Sequence, residues 1–275
     1  MTTEDTPDRL VDATFETLHL DVGGEAEYVA TVEISRPDAR NALNERVRSE
    51  LMETVSLAEA DDDVRVLVIT GDAEGKAFVA GADITEFEDR DGIEQRRASK
   101  RPRIYETVAG ASIPVVARIN GHALGGGCEL AQACDVRIAH ERAKIGQPEI
   151  SLGIMPGGGG TQRLPRIVGT GQAMKLALSG ELIDASEAAE IGLVEEVHGD
   201  ETFDERVYEL AGTIAEKSPI ALEFTKRAVQ ASTRMSMDSG IDYEAELFSK
   251  LFDTADKREG VAAFLEDRDP EFEGH

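Results

Sequence analysis

The sequence predicts an α/β protein with parallel strands in its first half and mostly helices in its second half. Two observations support this prediction. Strand-like and helix-like stretches alternate as far as residue 139, and alternation of that kind gives parallel strands joined by helical crossovers. After the glycines 157–160 the apolar residues recur almost entirely at helical spacing. A chain of 275 residues is long enough for one large α/β domain, or for a domain with a smaller helical appendage.

The first elements form a predicted β-hairpin followed by a helix and a buried strand. Residues 14–20 and 27–34 alternate apolar and polar side chains, and Gly23-Gly24 separates them. From Asn44, a suitable helix cap, apolar residues recur at helical spacing as far as the acidic triplet 61–63. Residues 64–70 then predict a buried strand, and the same rhythm returns with a strand at 114–120 and a helix at 129–134.

The second half predicts helices at 161–168, 171–179, 185–191, 203–217, 220–231, 239–251 and 256–265, with one strand at 193–197. Ser218-Pro219 is a local break in this pattern. We therefore predict an acidic N-terminal tail at 1–12, a core at 13–217 and a helical C-terminal region at 218–275. Because no Ser/Gly-rich linker joins them, we expect the last two parts to pack together.

The charge is strongly acidic, with 55 Asp and Glu against 29 Lys and Arg, a net charge of −26 and a pI near 4.5. Such a charge repels nucleic acid and anionic lipid, so we expect neither as a partner. The acidic residues are spread along the chain, which favours adaptation to a salty cytoplasm over an ordinary acidic mesophilic protein. We expect a cytoplasmic protein without a membrane span, because the N-terminus is acidic and no apolar run approaches about 18 residues. Cys128 and Cys134 are expected to be reduced and buried.

The candidate chemistry lies in two glycine-rich segments, each with a glutamate at its edge. Gly125-Gly126-Gly127 leads to Glu129, and Gly146-Gln147-Pro148 leads to Glu149. Two carboxylates can divide acid and base work, and exposed backbone N–H groups can stabilise an oxyanion, so the pattern indicates chemistry at a carbonyl compound. The alternatives are glycines that permit tight helix packing and a glutamate that is merely solvated.

A second source of backbone N–H groups is the small-residue segment 76–84, where the N–H of Ala82 is positioned to face a ligand. Its alternative is an ordinary loop that enters a helix capped by Asp83. We interpret His122, close to the glycine run, as a packing or hydrogen-bonding residue. With five histidines and no ligand-like spacing, the sequence predicts no metal site.

Taken in order, these motifs resemble the enoyl-CoA hydratase (crotonase) family over about residues 15–272. The matching segments are Arg36-Pro37 with Asn41-Ala42-Leu43, Ala80-Gly81-Ala82-Asp83-Ile84, the run from Asn120 to Leu130, Gly146-Gln147-Pro148-Glu149, and Gly160-Thr161-Gln162-Arg163-Leu164. The resemblance implies a crotonase-like spiral of β-β-α units with a helical C-terminal region that forms trimers, or dimers of trimers. It also implies an acyl-CoA substrate, whose thioester carbonyl is held by the N–H groups of Ala82 and Gly126.

Within this family the two glutamates indicate a hydratase, because many isomerases keep only the second. The resemblance implies that Glu129 acts as base toward a water molecule while Glu149 delivers a proton to C2 of a trans-2-enoyl-CoA. The N–H of Gly157 is expected to help position these groups. Further candidate substrate-binding residues are Arg40, Ala42, Asp83 and Ile84. We expect walls of the acyl pocket at Ile84, Phe87, Ile104 and Leu152, and no cofactor, since coenzyme A is part of the substrate.

The chain departs from the family where basic residues usually contact the CoA phosphates. Asp38, Asp267 and Asp269 occupy such places, and Arg40, Lys257 and Arg268 are the candidate replacements. The alternative functions are an enoyl-CoA delta-isomerase, a 3-hydroxyacyl-CoA dehydratase of a specialised pathway, and an RNA-binding relative. The net charge, and the expected lack of a Lys/Arg cluster, argue against RNA.

Overall fold

The computed structural model describes residues 9–275, so residues 1–8 of the predicted acidic tail lie outside the described chain. Residues Leu10–Asp12 form a short 3-10 turn. Leu10 is fully buried in the main core, and its N–H donates to Asp61 Oδ2 at 2.9 Å. The packed part of the chain therefore already includes Leu10.

Within residues 9–275 the strands are β1 (Leu18–Val22), β2 (Val29–Ile34), β3 (Val66–Gly71), β4 (Ala77–Val79), β5 (Val115–Ile119), β6 (His122–Leu124), β7 (Val136–His140), β8 (Lys144–Gly146), β9 (Leu182–Asp184) and β10 (Glu196–His198). The helices are α1 (Glu45–Ala60), α2 (Gly92–Ala98), α3 (Ile104–Gly110), α4 (Gly126–Ala133), α5 (Gly160–Ser179), α6 (Ala185–Glu190), α7 (Phe203–Ala215), α8 (Pro219–Ala231), α9 (Met237–Leu251) and α10 (Ala255–Glu266). This composition confirms the predicted α/β class. Over these residues, no helix combines the length and the apolar character needed to cross a membrane.

The larger sheet has the strand order β1-β2-β3-β5-β7-β10. Its first pair is the predicted hairpin, antiparallel and in register from Leu18 opposite Ile34, and the other neighbouring strands are parallel. All six residues of β3 are buried, as expected for a parallel strand covered on both faces. Leu67 and Ile69 belong to the core that includes α1, whereas Val66 and Val68 pack with α7 on the opposite face.

The smaller sheet, in the order β4-β6-β8-β9, is a finding that the sequence analysis missed. Each of its strands has three residues, which is too short for a period-2 pattern to stand out. The interpretation of 76–84 as a plain loop was therefore wrong at β4. The expectation of one strand after residue 160 was wrong as well, because β9 and β10 both lie there. This sheet places the ends of β4, β6 and β8 side by side.

The helical second half follows the predicted pattern closely. The predicted gap between 168 and 171 is a kink in α5, where Gly169 has φ 78°. Ser218 caps α8, since its hydroxyl accepts from the N–H of Ala221. Lys226 on α8 reaches the core, donating to the carbonyl of Ile113 at 2.8 Å and pairing with Asp135 at 2.7 Å. Residues 218–275 thus pack on the core.

Candidate active site

The site begins where β6 turns into α4. Gly125 has φ 50° and ψ −120°, a conformation that favours glycine, and its N–H donates to the carbonyl of Gly146 on β8. Gly126 is the first residue of α4, so its N–H has no partner within the helix and lies at the positive helix end. A Cβ at Gly127 would lie 2.0 Å from the carbonyl oxygen of Val79, so only glycine allows α4 to approach β4 this closely.

The second N–H group comes from the segment after β4. Ala82 forms an isolated parallel bridge with Leu43, and its own N–H makes no hydrogen bond within residues 9–275. A Cβ on Gly126 would lie 3.2 Å from the nitrogen of Ala82. The structure therefore brings the two predicted donors together, and neighbouring free N–H groups of this kind suit an oxyanion.

Glu129 lies in the first turns of α4 and is almost completely buried, with 2% of its surface exposed. Its Oε1 accepts two hydrogen bonds of 2.7 Å, from the N–H groups of Gly158 and Gly160. Burial raises the pKa of Glu129 above its ordinary value, although these two hydrogen bonds oppose the rise. The donors are not Gly157 as expected: Gly157 lines the cavity, and its carbonyl accepts from Arg103 Nη1 at 2.5 Å.

Glu149 lies in a 3-10 turn, Pro148–Leu152, and is half-buried. A Cβ at Gly125 would lie 3.0 Å from Glu149 Oε1, so the carboxylate closes against the start of α4. Burial raises the pKa of Glu149 to about 7, and the nearby charge of Glu129 acts in the same direction. A carboxyl group with a pKa near neutrality is suited to giving and taking protons.

Gln147 is a site residue whose role the sequence analysis missed. Its side chain is fully buried, and a Cβ at Gly160 would lie 2.8 Å from its Nε2 atom. With the amide nitrogen turned toward Glu149, Gln147 donates to both carboxylate oxygens at 3.0 and 3.1 Å and accepts from Gln132 Nε2 at 3.1 Å. The sequence feature that could have indicated this role is the position of Gln147 in the segment Gly146-Gln147-Pro148-Glu149.

Tyr105 and Arg163 form the other wall around Glu129, and neither was predicted as a site residue. A Cβ at Gly158 would lie 2.4 Å from the ring of Tyr105, and one at Gly126 would lie 2.9 Å from its hydroxyl. Burial, and then the charge of Glu129, raises the pKa of Tyr105 far above its ordinary value. Arg163 donates to the carbonyls of Gly158 and Tyr105, both at 3.1 Å. It therefore ties the glycine loop to α3.

The two glutamates, the two N–H donors and Tyr105 line one cavity of about 710 Å³. Its lining includes both glutamates, Ala82 and Gly126, and its apolar walls are Met52, Ile84, Phe87, Ile104, Leu152, Ile154 and Met155. All four predicted wall residues are among them. The combination of two carboxylates, two free N–H groups and an apolar lining is typical of an enclosed site for an acyl group.

Three candidate substrate-binding residues lie outside the lining of this cavity in the described chain. Arg40 is exposed and has φ 51° after a short turn. The carbonyl of Ala42 accepts from Arg36 Nη1 at 2.7 Å. Asp83 accepts from the hydroxyl of Thr85 at 2.7 Å and from its N–H at 3.2 Å, and it pairs with Arg36 Nη2 at 3.0 Å; these contacts hold its pKa below the ordinary value. Asp83 therefore shapes the loop that presents Ala82.

The remaining polar candidates have structural contacts. His122 Nδ1 accepts from the N–H of Lys144 at 3.2 Å, and burial lowers its pKa. Burial raises the pKa of Cys128 to about 12. His19, Glu33 and Asp72 bring ligand-type atoms within 4.8 Å of one another near the first hairpin, but within the described chain none of the three lines the cavity.

The expectation that the chain lacks a basic cluster was wrong. Residues 96–103 contain five basic side chains, namely Arg96, Arg97, Lys100, Arg101 and Arg103, and no acidic one. Lys100 and Arg103 line the cavity. The most basic stretch of an acidic chain thus lies beside the candidate site.

Comparisons with known proteins agree with this geometry. The family model described as enoyl-CoA hydratase/isomerase matches residues 24–275. A 2,3-dehydroadipyl-CoA hydratase of Escherichia coli is 42% identical over 90% of this chain and 96% of its own length. A crotonyl-CoA hydratase of Syntrophomonas wolfei is 42% identical over 90% of this chain and 95% of its own. The crystal structure of an enoyl-CoA hydratase from Bacillus anthracis matches with a TM-score of 0.89 at 37% identity, covering 94% of this chain and 100% of that one. This structural match confirms the crotonase-like fold.

Proposed function

The chain belongs to the enoyl-CoA hydratase/isomerase family, and from that premise we propose that it is an enoyl-CoA hydratase. It is a hydro-lyase that reversibly adds water to trans-2-enoyl-CoA, in the syn sense, to give 3-hydroxyacyl-CoA. The observation that carries the proposal is the convergence of two carboxylates, Glu129 and Glu149, with two free N–H groups in one cavity.

The proposed reaction assigns one task to each group. The thioester oxygen accepts from the N–H groups of Ala82 and Gly126, which stabilise the enolate that forms when the C2–C3 double bond is polarised. Glu129 takes a proton from the attacking water, whose oxygen bonds to C3. Glu149, protonated at the start, gives its proton to C2. The proton taken by Glu129 balances the one lost by Glu149, and exchange with solvent restores both groups.

The environments of the two carboxylates support this assignment. Glu129 is held by two N–H groups that stabilise its ionised form, which a base requires. Glu149 has a pKa of about 7, so a large share of it is protonated near neutrality. One oxyanion donor is worth about 3–4 kcal/mol of barrier, and a general acid or base gives roughly 10²–10⁴-fold in rate. Hydration of an alkene requires both the oxyanion donors and the general acid and base.

Because the thioester carbonyl itself delocalises the developing charge, we propose that the reaction needs no metal and no cofactor beyond the coenzyme A of the substrate. The isomerase alternative differs in needing only one carboxylate. A Glu129→Gln variant that still migrates a double bond, but does not hydrate, would separate the two activities.

We also propose a homotrimer, or a dimer of trimers, in the cytoplasm of a salt-adapted cell. The helices α8 to α10 expose large apolar side chains, among them Met237 (78% exposed), Phe248 (61%), Phe264 (84%) and Leu265 (77%). Large apolar side chains left exposed on neighbouring helices are typical of a protein interface, and a second copy of the chain is the proposed occupant. The mass in solution, measured by light scattering at high and low KCl, tests this.

Contacts to the CoA phosphates are proposed for Arg40 and Lys257 rather than Arg268. Arg268 pairs with Glu259 and with Glu266 at 2.8 Å, so its charge is already engaged. Arg40 is exposed and forms no ion pair within residues 9–275.

The direct test of the proposed function is the loss of crotonyl-CoA absorbance at high KCl, with 3-hydroxybutyryl-CoA identified as the product. We expect hydration by the wild type and its loss in Glu129→Gln and Glu149→Gln. Absence of hydration in the wild type, or full hydration by either variant, would overturn the two-carboxylate assignment.

A further inference from the structure

The geometry of the site fixes which wall meets the far end of the acyl chain. In the proposed reaction, which this inference rests on, C1 lies at Ala82 and Gly126, and C3 lies beside Glu129. The chain beyond C3 therefore extends on the Glu129 side of the cavity. That side is bordered by α3, because Tyr105 packs against Gly158 next to Glu129.

The segment leading into α3 supplies the next part of this wall. Its cavity-lining residues are Gln95, Ala98, Ser99, Lys100, Pro102 and Arg103. They are small, polar or cationic, in contrast to the apolar walls formed by Met52, Phe87 and Leu152. An acyl chain that passes Ile104 and Tyr105 thus reaches a polar, positively charged surface.

Lys100 is the uncommitted cation of this wall. Its Nζ forms no hydrogen bond and no ion pair within residues 9–275. By contrast, Arg48 pairs with Glu86 at 2.6 Å, Arg90 pairs with the same carboxylate at 3.7 Å, and Arg103 pairs with Glu106 at 2.6 Å. Among the cations that line the cavity in the described residues, Lys100 is therefore the one without an anionic partner.

The acidic groups of the cavity lining belong to the reacting centre. Within the described residues, they are the carboxylates of Glu129 and Glu149. An anionic group on the substrate is repelled there and attracted at Lys100. A neutral alkyl end gains nothing from an ammonium group and requires it to lose water.

We propose that this cavity accepts trans-2-enoyl-CoA thioesters whose acyl chain ends in a carboxylate, and that Lys100 is the residue that recognises that carboxylate. The substrate class is thus the enoyl-CoA half-thioesters of dicarboxylic acids. Lys100 acts on specificity: it lowers the barrier for the charged substrate relative to a neutral one of equal length, and it does not touch the reacting atoms.

The test compares two six-carbon substrates, trans-2,3-dehydroadipyl-CoA and trans-2-hexenoyl-CoA, at one fixed KCl concentration. Wild type is expected to have a kcat/KM at least about tenfold higher for the dicarboxylic substrate. Lys100→Gln should lower that value about tenfold and leave hexenoyl-CoA within about twofold, and Lys100→Glu should reverse the preference.

The matched control is Arg97→Gln. Arg97 is exposed in α2, a few residues before Lys100, and lies outside the cavity lining of the described chain. It should leave both substrates unchanged. An equal loss in Arg97→Gln and Lys100→Gln would mean that the general positive field, rather than Lys100, is responsible, and would overturn the proposal.

Pantetheine thioesters of the same two acids separate the acyl carboxylate from the CoA phosphates. We expect the effect of Lys100→Gln to persist with them. If the effect of Lys100→Gln disappears with the pantetheine thioesters, or if the wild type prefers hexenoyl-CoA, Lys100 does not recognise the terminal carboxylate of the acyl chain, and the proposal is wrong. Hydration of crotonyl-CoA by all variants shows that the proposed function holds whichever way this test falls.

Discussion

Glu129 and Glu149 share one cavity but are held in opposite ways. Glu129 projects from the helix α4, is 2% exposed, and is fixed by two N–H groups at 2.7 Å. Glu149 lies in a short 3-10 turn that ends at the exposed Leu152 and is followed by exposed apolar residues such as Met155. Its side-chain partner is the amide of Gln147, which pairs with it when the amide nitrogen faces the carboxylate.

This difference teaches how one residue type fills two roles. Backbone donors stabilise the ionised form of Glu129 and fix its direction, whereas burial and the nearby charge of Glu129 raise the pKa of Glu149 to about 7. A fixed carboxylate suits the abstraction of a proton from water. A carboxyl group that titrates near neutrality suits the delivery of a proton to carbon.

Glu129→Gln should have the largest effect. The amide still accepts from the N–H groups of Gly158 and Gly160, but it cannot take a proton, so hydration should fall by up to roughly 10⁴-fold. Crotonyl-CoA absorbance measures the loss, and circular dichroism checks that the fold is kept. Hydration at the wild-type rate would contradict the role of Glu129 as base.

Glu149→Gln should lower hydration by roughly 10²–10³-fold and also abolish a reaction that Glu129→Gln leaves intact. That reaction is exchange of the C2 protons of butyryl-CoA with D₂O, which needs proton transfer at C2 but no attack at C3. Nuclear magnetic resonance follows the exchange. If both variants lose exchange equally, the two roles are not divided as proposed.

The pH dependence tests whether the two carboxylates act as a pair that holds one proton. Hydration requires an ionised Glu129 and a protonated Glu149, so its kcat/KM should fall about tenfold per pH unit above about 7, and it should also fall on an acidic limb where Glu129 becomes protonated. Dehydration of 3-hydroxybutyryl-CoA starts from the same pair with the proton on Glu129, and the reaction takes up no net proton, so its profile should have the same two limbs. A kcat/KM for hydration that does not fall above about 7 would contradict the assignment.

Substitution of Arg163 tests whether the geometry around Glu129 depends on the hydrogen bonds that Arg163 donates to the neighbouring carbonyls. Arg163→Met removes hydrogen bonds to two carbonyls and a positive charge that lowers the pKa of Glu129. We expect a loss of roughly tenfold in kcat and a shift of the acidic limb to higher pH. Arg163→Lys keeps the positive charge, so it should return the acidic limb of the pH profile to its wild-type position without restoring the full rate. A loss of rate without a shift would indicate a structural role alone.

The sequence predicted the long elements and the two glutamates, and the reason is physical. Helices such as α9 and α10 repeat their apolar pattern over several turns, and the two Gly-rich segments hold local motifs. The three-residue strands of the smaller sheet carry too little pattern to be seen. The true donors to Glu129, Gly158 and Gly160 rather than Gly157, depend on the path of one loop, and Tyr105 reaches the site from a distant helix.

The smallest effect concerns stability. The pKa of Glu149 is raised on folding, so its contribution to stability is fully present below its unfolded pKa of about 4.5 and is lost as pH rises through about 7. Glu149→Gln removes this loss because the amide does not ionise. After allowance for solvent screening of a half-buried group, the variant should gain about 1 kcal/mol over wild type at pH 8, or about 2–4 °C in Tm, and less at pH 5. Thermal unfolding at the two pH values measures the difference. A variant less stable than wild type at pH 8 would mean that the ionised carboxylate is held as firmly as that of Glu129, and the contrast between the two glutamates would then disappear.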